Sequence, residues 1–171
     1  MPQLMRIVGI DPALRRTGYA VIDSDGNQHR ALDCGVVSTP AGKPLSECLR
    51  RLQGGILEII RAYQPAMAAL EGGFYSRNAK TAMLLGCARG TVIAVFAAAD
   101  LPVYEYAPRR VKQAISGYGN AGKEQIASLM SSIFGIEADG LPRDATDALA
   151  IAVCHSHTYF TNQGLFLPRP L

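Results

Sequence analysis

The spacing of hydrophobic positions changes after the first quarter of the chain. Up to residue 38, short apolar stretches are separated by turn-forming residues, Asp11-Pro12 after the first and Ser24-Asp-Gly-Asn27 after the second. Because proline lacks the N–H of an interior ladder bond, the first strand should end at Asp11. The pattern predicts an antiparallel meander of three strands, over residues 6–10, 18–23 and 29–38.

From residue 45 onward, stretches with helical spacing alternate with two short apolar runs. Leu49, Leu52 and Ile56 illustrate the helical period, which Pro65 ends. Helices are predicted over residues 45–63, 78–99, 108–116 and 122–134 and from residue 144, with strands over 67–70 and 103–106. A right-handed crossover would place the fourth strand parallel to the first, which gives a mixed α/β sheet with helices on both faces.

The predicted helix over residues 78–99 is apolar almost all round. Two interpretations are open, a central core helix or a face that meets a second copy of the chain. A membrane span is disfavoured, because Arg89 interrupts the apolar run, which also contains Gly86 and Gly90.

Length and composition fit one ordinary domain. The chain has 171 residues, 49% of them hydrophobic, which is enough to bury a core. We expect a single domain over residues 1–160 and an extended or mobile tail over 161–171. The four cysteines form no C-x-x-C pair, and residues 1–6 lack the pattern of a signal peptide, so reduced thiols in a cytoplasmic protein are expected.

Four carboxylates are placed where folding could bring them together. Asp11 and Glu71 each follow a strand that looks buried, and Asp144 and Asp147 open the last helix. Ligands of such sheets gather at the carboxyl ends of parallel strands. One alternative remains open, in which Asp144 caps the helix and Asp147 responds to its dipole.

An all-oxygen, negatively charged set selects Mg²⁺ or Mn²⁺ over zinc. Two such ions could activate water for in-line attack on a phosphodiester. The net charge of +3 includes these four carboxylates, so the rest of the chain is more basic and suits a polyanion.

Basic and aromatic residues recur beside the carboxylates. Lys112 and Lys123 are the candidates for reaching a scissile phosphate. Phe74 and Tyr75 follow Glu71 in a glycine-rich loop and could stack on unpaired bases. Further candidate DNA contacts are Arg15, Arg16 and Arg77.

Several ordered motifs together resemble the RuvC family of Holliday-junction resolvases, within the ribonuclease H-like superfamily. The resemblance runs from about residue 5 to about residue 157. It is carried by Arg6-Ile-Val-Gly-Ile-Asp-Pro12, Thr17-Gly-Tyr19, Glu71-Gly-Gly-Phe74, Arg77-Asn78, Leu85-Gly86, Ala88-Arg-Gly90, Tyr106-Ala-Pro108, Val111-Lys112, Gly117-Tyr-Gly119, Lys123-Glu-Gln125, Asp144-Ala-Thr-Asp-Ala-Leu-Ala150 and Cys154-His155.

The resemblance implies a ribonuclease H-like, mixed five-stranded sheet, with three antiparallel strands followed by parallel additions and helices on both faces. It implies a homodimer that makes paired, symmetric nicks in four-way junction DNA using Mg²⁺ or Mn²⁺, with the RuvA–RuvB branch-migration complex as its partner. Two ions per site are expected from the carboxylate chemistry. The resemblance also implies that Lys112 and Lys123 lie near the phosphate and that Phe74 stacks at the opened junction. The implied catalytic metal ligands are Asp11, Glu71, Asp144 and Asp147.

The sequence departs from the family pattern at two places. Ala13 stands where the family usually has glycine, and Gly72-Gly73 replace bulkier residues, which should loosen the loop before Phe74. Two other functions are alternatives to the nuclease. One is a junction-binding protein without catalysis, and the other is an actin-like nucleotide-binding module in which Asp11 helps to hold metal-bound nucleotide.

The last motif, Cys154-His155-Ser-His157, has poor spacing for a metal. We interpret its histidines as residues of the last helical turn that interact favourably with the helix dipole.

Overall fold

The computed structural model describes residues 4–72, 78–137, 140–161 and 167–171. The strands are β1 (Met5–Asp11), β2 (Arg16–Ser24), β3 (His29–Ser38), β4 (Met67–Glu71) and β5 (Val103–Tyr106). The helices are α1 (Leu45–Tyr63), α2 (Ala79–Ala98), α3 (Pro108–Ser116), α4 (Lys123–Phe134) and α5 (Arg143–Thr161).

The five strands form one mixed sheet in the order β3-β2-β1-β4-β5. β2 is antiparallel to both β1 and β3, whereas β4 is parallel to β1 and β5 is parallel to β4. The predicted fold class is therefore confirmed, including the parallel pairing of the fourth strand with the first. Ile10 of β1 is the register partner of Leu70 of β4, so these two strands end side by side.

Each face of the sheet is covered by a separate hydrophobic core. Ile7 and Ala69 belong to the core shared with α3, α4 and α5, whereas Val8 and Ile10 belong to the core shared with α1 and α2. Because successive side chains of a strand point to opposite faces, a strand buried on both sides reads as a continuous apolar run. That is why the central strand β1 lacks polar alternation.

Helix α2 buries only one of its sides. Ala88, Val92, Val95 and Phe96 are buried, but Met83 is 62% exposed. The interpretation of α2 as a central core helix is therefore wrong. By length and composition alone, α2 is also the one described helix that could cross a membrane.

The described end of the chain, residues 167–171, lies outside helices and strands but contacts the domain. Leu167 packs against the core that contains α5. The Leu171 N–H donates to the Val103 carbonyl of β5 at 2.9 Å. All four cysteines are free thiols, as expected.

Candidate active site

Asp11 and Glu71 are the last residues of the two adjacent parallel strands. Ile10 and Leu70 are register partners, so the next residues, Asp11 and Glu71, follow at the same edge. By strand alternation, Asp11 shares the face of Gly9, and Glu71 shares that of Ala69. This is the face on which α5 packs.

Two glycines allow α5 to lie directly on the strands. A Cβ on Gly9 would overlap the Ala148 carbonyl oxygen and lie 2.8 Å from the Ala152 nitrogen. A Cβ on Gly18 would overlap the Asp144 carbonyl oxygen. Since Gly18 is the strand partner of Asp11, the first turn of α5 is held beside the end of β1.

Asp144 is inside α5 and is not its cap. The helix begins at Arg143, and the Pro142 carbonyl accepts from the N–H groups of Ala145 at 3.0 Å and Thr146 at 3.1 Å. The interpretation of Asp144 as the helix cap is therefore wrong, because Asp144 is the second residue of the helix. Its carboxylate accepts from Arg16 Nε at 3.0 Å, and this ion pair is largely exposed on the Arg16 side.

The carboxylates act on one another electrostatically. Burial, followed in order of importance by the charges of Asp147, Glu71 and Asp144, raises the pKa of Asp11 to about 7. Burial and Asp147 raise the pKa of Glu71. Burial raises the pKa of Asp147, with Asp144 adding to the effect. Desolvation and like charge both disfavour the ionised forms, so these groups form one acidic cluster.

Two lysines oppose this accumulation of negative charge. Lys123, the first residue of α4, lowers the pKa values of Asp11, Glu71 and Asp147. Lys112 of α3 lowers those of Glu71 and Asp147. Lys123 and Asp147 also line a common cavity of about 260 Å³. The structure therefore brings both predicted lysines to the carboxylates.

The donor set fits a hard divalent cation in its chemistry. All four donors are carboxylates, and the repulsion that helps to raise the pKa values of Asp11, Glu71 and Asp147 is what a cation would relieve. As the side chains stand, no three His, Cys, Asp or Glu residues in the described part of the chain are close enough to hold one ion. Asp144 is instead paired with Arg16.

The predicted DNA contacts have different outcomes. Phe74, Tyr75 and Arg77 lie outside the described residues. Arg16 is paired with Asp144. Arg15 donates to two backbone carbonyls of the segment before α1, those of Pro40 at 2.8 Å and Lys43 at 3.2 Å.

Ala13 and Gly72 are the described residues at which the sequence departs from the family pattern. Ala13 is not among the described non-glycine residues with positive φ, so a side chain is tolerated there. Gly72 is buried, and its N–H donates to the Tyr106 carbonyl at 2.9 Å. Gly72 itself is therefore held in place, and the rest of the loop for which loosening is expected, from residue 73, lies outside the described residues.

A side chain at Gly72 would collide with that of Glu105, which forms an ion pair with Arg89 of α2. Sequence reasoning missed this contact beside Glu71. The glycine following a strand end was the available signal, because such positions often mark close approach.

His155 does not interact with the helix dipole as expected. It is fully buried, its Nδ1 is 2.7 Å from the Tyr106 hydroxyl, and α5 continues for six residues beyond it, to Thr161. Burial lowers the pKa of His155 to about 4, so it is neutral in the folded protein. The dipole interpretation of this histidine is wrong.

The chain is similar to known proteins over most of its length. The family model described as crossover junction endodeoxyribonuclease RuvC matches residues 7–155. The chain belongs to the RuvC family. A RuvC relative from Pelotomaculum thermopropionicum is 40% identical over 163 residues, which cover 95% of this chain and 99% of the relative. One from Agrobacterium fabrum is 45% identical over 157 residues, 92% of each chain.

Solved structures agree with RuvC membership. A structure of Thermus thermophilus RuvC in complex with a Holliday junction substrate has a TM-score of 0.89 and 33% identity, covering 98% of this chain and 99% of that one. The yeast mitochondrial Holliday junction resolvase has a TM-score of 0.67 at 12% identity, covering 92% of this chain and 84% of that one, which shows a shared fold only.

Proposed function

We propose that this chain is a structure-selective endonuclease that resolves four-way (Holliday) DNA junctions by paired symmetric nicks, in recombination and DNA repair. Membership of the family of crossover junction endodeoxyribonucleases supports the reaction. The observation that carries the assignment to particular residues is the acidic cluster at the ends of β1 and β4, faced by α5 and by two lysines.

The cluster would hold Mg²⁺, for which Mn²⁺ could substitute, with two ions per active site. The ligands would be Asp11, Glu71, Asp144 and Asp147. Bound cations would supply Lewis acidity, activating water as the nucleophile and stabilising the leaving oxygen.

The protein's own groups have distinct tasks. The strand register fixes the backbone positions of half-buried Asp11 and Glu71, which helps to preorganise their carboxylates. Lys123, placed by the start of α4, offsets charge that develops on the phosphate, and Lys112 adds positive charge from α3. These roles make Asp11, Glu71, Asp144, Asp147 and Lys123 the catalytic set.

DNA would be held by residues around this set. Arg15, Arg16 and Arg77 are proposed backbone contacts, which position DNA without reading its sequence. Phe74 and Tyr75 are proposed to stack on bases unpaired at the junction centre.

A homodimer would explain symmetric incision, since a two-fold axis presents identical sites to equivalent strands. Support comes from α2, which leaves apolar surface such as Met83 exposed. Met83→Lys should shift the molar mass in light scattering from dimer towards monomer. Leu45→Lys, at an exposed position on α1, is the matched control and should leave the dimer intact. A partnership with RuvA–RuvB and a cytoplasmic location are proposed from family membership.

The test compares a labelled four-way junction with the matching linear duplex, in Mg²⁺ and in EDTA. Wild type should nick the junction at symmetric positions only when Mg²⁺ is present, and Asp144→Asn and Asp147→Asn should bind the junction without cutting. Cleavage by Asp147→Asn at the wild-type rate would contradict the ligand assignment. Junction binding by wild type with no cleavage in Mg²⁺ or Mn²⁺ would favour a non-catalytic junction-binding protein.

A further inference from the structure

Two histidines meet at the end of the molecule remote from the carboxylates. His29 is the first residue of β3, and His157 lies in the last two turns of α5. Asp147 and His157 are ten residues apart on one helix, or roughly 15 Å along its axis at 1.5 Å per residue. The pair is therefore separate from the proposed active site.

The two rings direct the same nitrogen toward each other. His29 Nε2 and His157 Nε2 are 3.2 Å apart, and the rings are tilted at 52°. Each Nδ1 has another partner, the Ala114 carbonyl at 3.2 Å for His157 and the Ser24 hydroxyl at 2.8 Å for His29. Metal-binding histidines are commonly oriented in this way, with one ring nitrogen bonded to a carbonyl or similar group and the other available.

The hydrogen-bond partners permit the tautomers that a metal requires. A carbonyl only accepts, so Nδ1 of His157 carries the proton and Nε2 holds a lone pair. Ser24 Oγ is 2.6 Å from Ser156 Oγ, and either hydroxyl can be the donor. When Ser24 donates to Ser156, it can accept from Nδ1–H of His29, which leaves a lone pair on His29 Nε2 as well.

The surroundings keep the His29 ring neutral and leave both rings accessible. Burial and the neighbouring His157 lower the pKa of His29 to about 4, although Asp25 opposes this effect. A surface cleft of about 490 Å³, lined by Asn27, Gln28 and Ile133, opens onto both rings. Water from this cleft can fill the remaining coordination positions.

We propose that His29 and His157 form a binding site for a divalent transition-metal ion such as Zn²⁺. Two imidazole nitrogens on a tetrahedral zinc, with bonds near 2.0–2.1 Å, lie roughly 3.3 Å apart. The observed separation of 3.2 Å is close to this spacing. Nitrogen donors favour zinc, copper or nickel, whereas the carboxylate cluster favours Mg²⁺, so the two sites select different ions.

Bound metal would tie three elements together. His29 belongs to β3, His157 to α5, and the carbonyl of Ala114 that orients His157 belongs to α3. An ion that binds only the folded protein raises its stability by mass action.

The test uses untagged protein in excess Mg²⁺, titrated with Zn²⁺ by calorimetry and with Co²⁺ by visible absorbance. Wild type should bind one ion per chain, and His29→Gln and His157→Gln should each weaken binding at least tenfold. Asp11→Asn is the matched control, because it alters the carboxylate cluster alone, and should bind as wild type does. Equal binding by the histidine variants, or loss of binding in Asp11→Asn, would overturn the proposal.

A second measurement needs no variant. The chain has three histidines, and His155 is buried elsewhere. Diamagnetic Zn²⁺ should therefore shift the imidazole NMR signals of two histidines strongly and those of the third much less. Signals that all remain unshifted at saturating Zn²⁺ would refute the site even if a substituted protein failed to fold.

Discussion

The carbonyl oxygen of Asp144 lies so close to Gly18 that no side chain fits between them. Gly18 is also the antiparallel partner of Asp11. One glycine therefore sets how near the first turn of α5 comes to the end of β1. Because the proposed metal ligand Asp144 is on that turn and Asp147 follows it by three residues, the packing of Gly18 controls the geometry of the acidic cluster.

Gly18→Ala should displace α5 and reduce both stability and cleavage. Overpacking of this kind destabilises by roughly 1–3 kcal/mol, and backbone is the group that must move. Denaturant unfolding and junction cleavage measure the two effects. Gly54→Ala on α1 is the control, because nothing lies within 4 Å of its Cβ position. It should leave cleavage unchanged and raise stability by about 0.5–1 kcal/mol through helix propensity. Normal cleavage by Gly18→Ala would contradict the proposed role of this contact.

Asp11→Asn should stabilise the metal-free protein at neutral and alkaline pH while abolishing cleavage. With a folded pKa of about 7 against an ordinary 3.8, Asp11 keeps a proton that the unfolded chain releases. The contribution of Asp11 to stability is thus present below pH 3.8 and lost as pH rises through about 7.

His29 and His155, whose pKa values are lowered to about 4, act in the opposite direction, so their stability contribution falls as pH drops from 6.5. The difference between wild type and Asp11→Asn isolates the carboxylate. Thermal melts in EDTA should show an advantage for Asp11→Asn that grows from pH 4 to pH 8. A difference that does not vary with pH would contradict the assigned shift.

Arg16→Ala should lower the Mg²⁺ concentration that half-activates cleavage. Arg16 is paired with Asp144 at 3.0 Å and competes with a cation for that carboxylate. Exposed ion pairs contribute roughly 0.2–1 kcal/mol, so a change of up to about fivefold is expected. Arg15→Ala is the matched neighbour, since Arg15 contacts backbone carbonyls instead. It should leave the Mg²⁺ dependence unchanged, and an equal shift in both variants would contradict competition at Asp144.

Lys123→Ala should lower kcat by about 10²–10³, with a smaller effect on KM, because its charge is proposed to act on the transition state. Single-turnover cleavage at saturating Mg²⁺ measures this loss. Lys43→Ala, outside the cluster, is the control for removal of one positive charge. A change in KM alone would reassign Lys123 to ground-state DNA binding.

The local pattern was sufficient for most of the secondary structure. The bounds of β3, α1, β5 and α3 agree with the predicted ranges, because proline and glycine punctuate those segments clearly. Helix α2 was harder, since an apolar sequence does not state whether a helix is covered by its own chain or by another. The position of Asp144 relative to the helix start was also open, because aspartate is favoured both as a cap and in the first turn.

By itself the sequence determined the alternation of strands and helices and singled out the four carboxylates and the two lysines as candidate site residues, because hydrophobic period and residue chemistry are local properties. Only the tertiary structure decided that Arg16 holds Asp144, that Gly18 admits the first turn of α5 and that His29 meets His157. Each of these contacts joins residues far apart in the chain. Their spacing depends on how α5 packs across the sheet, which no local pattern encodes.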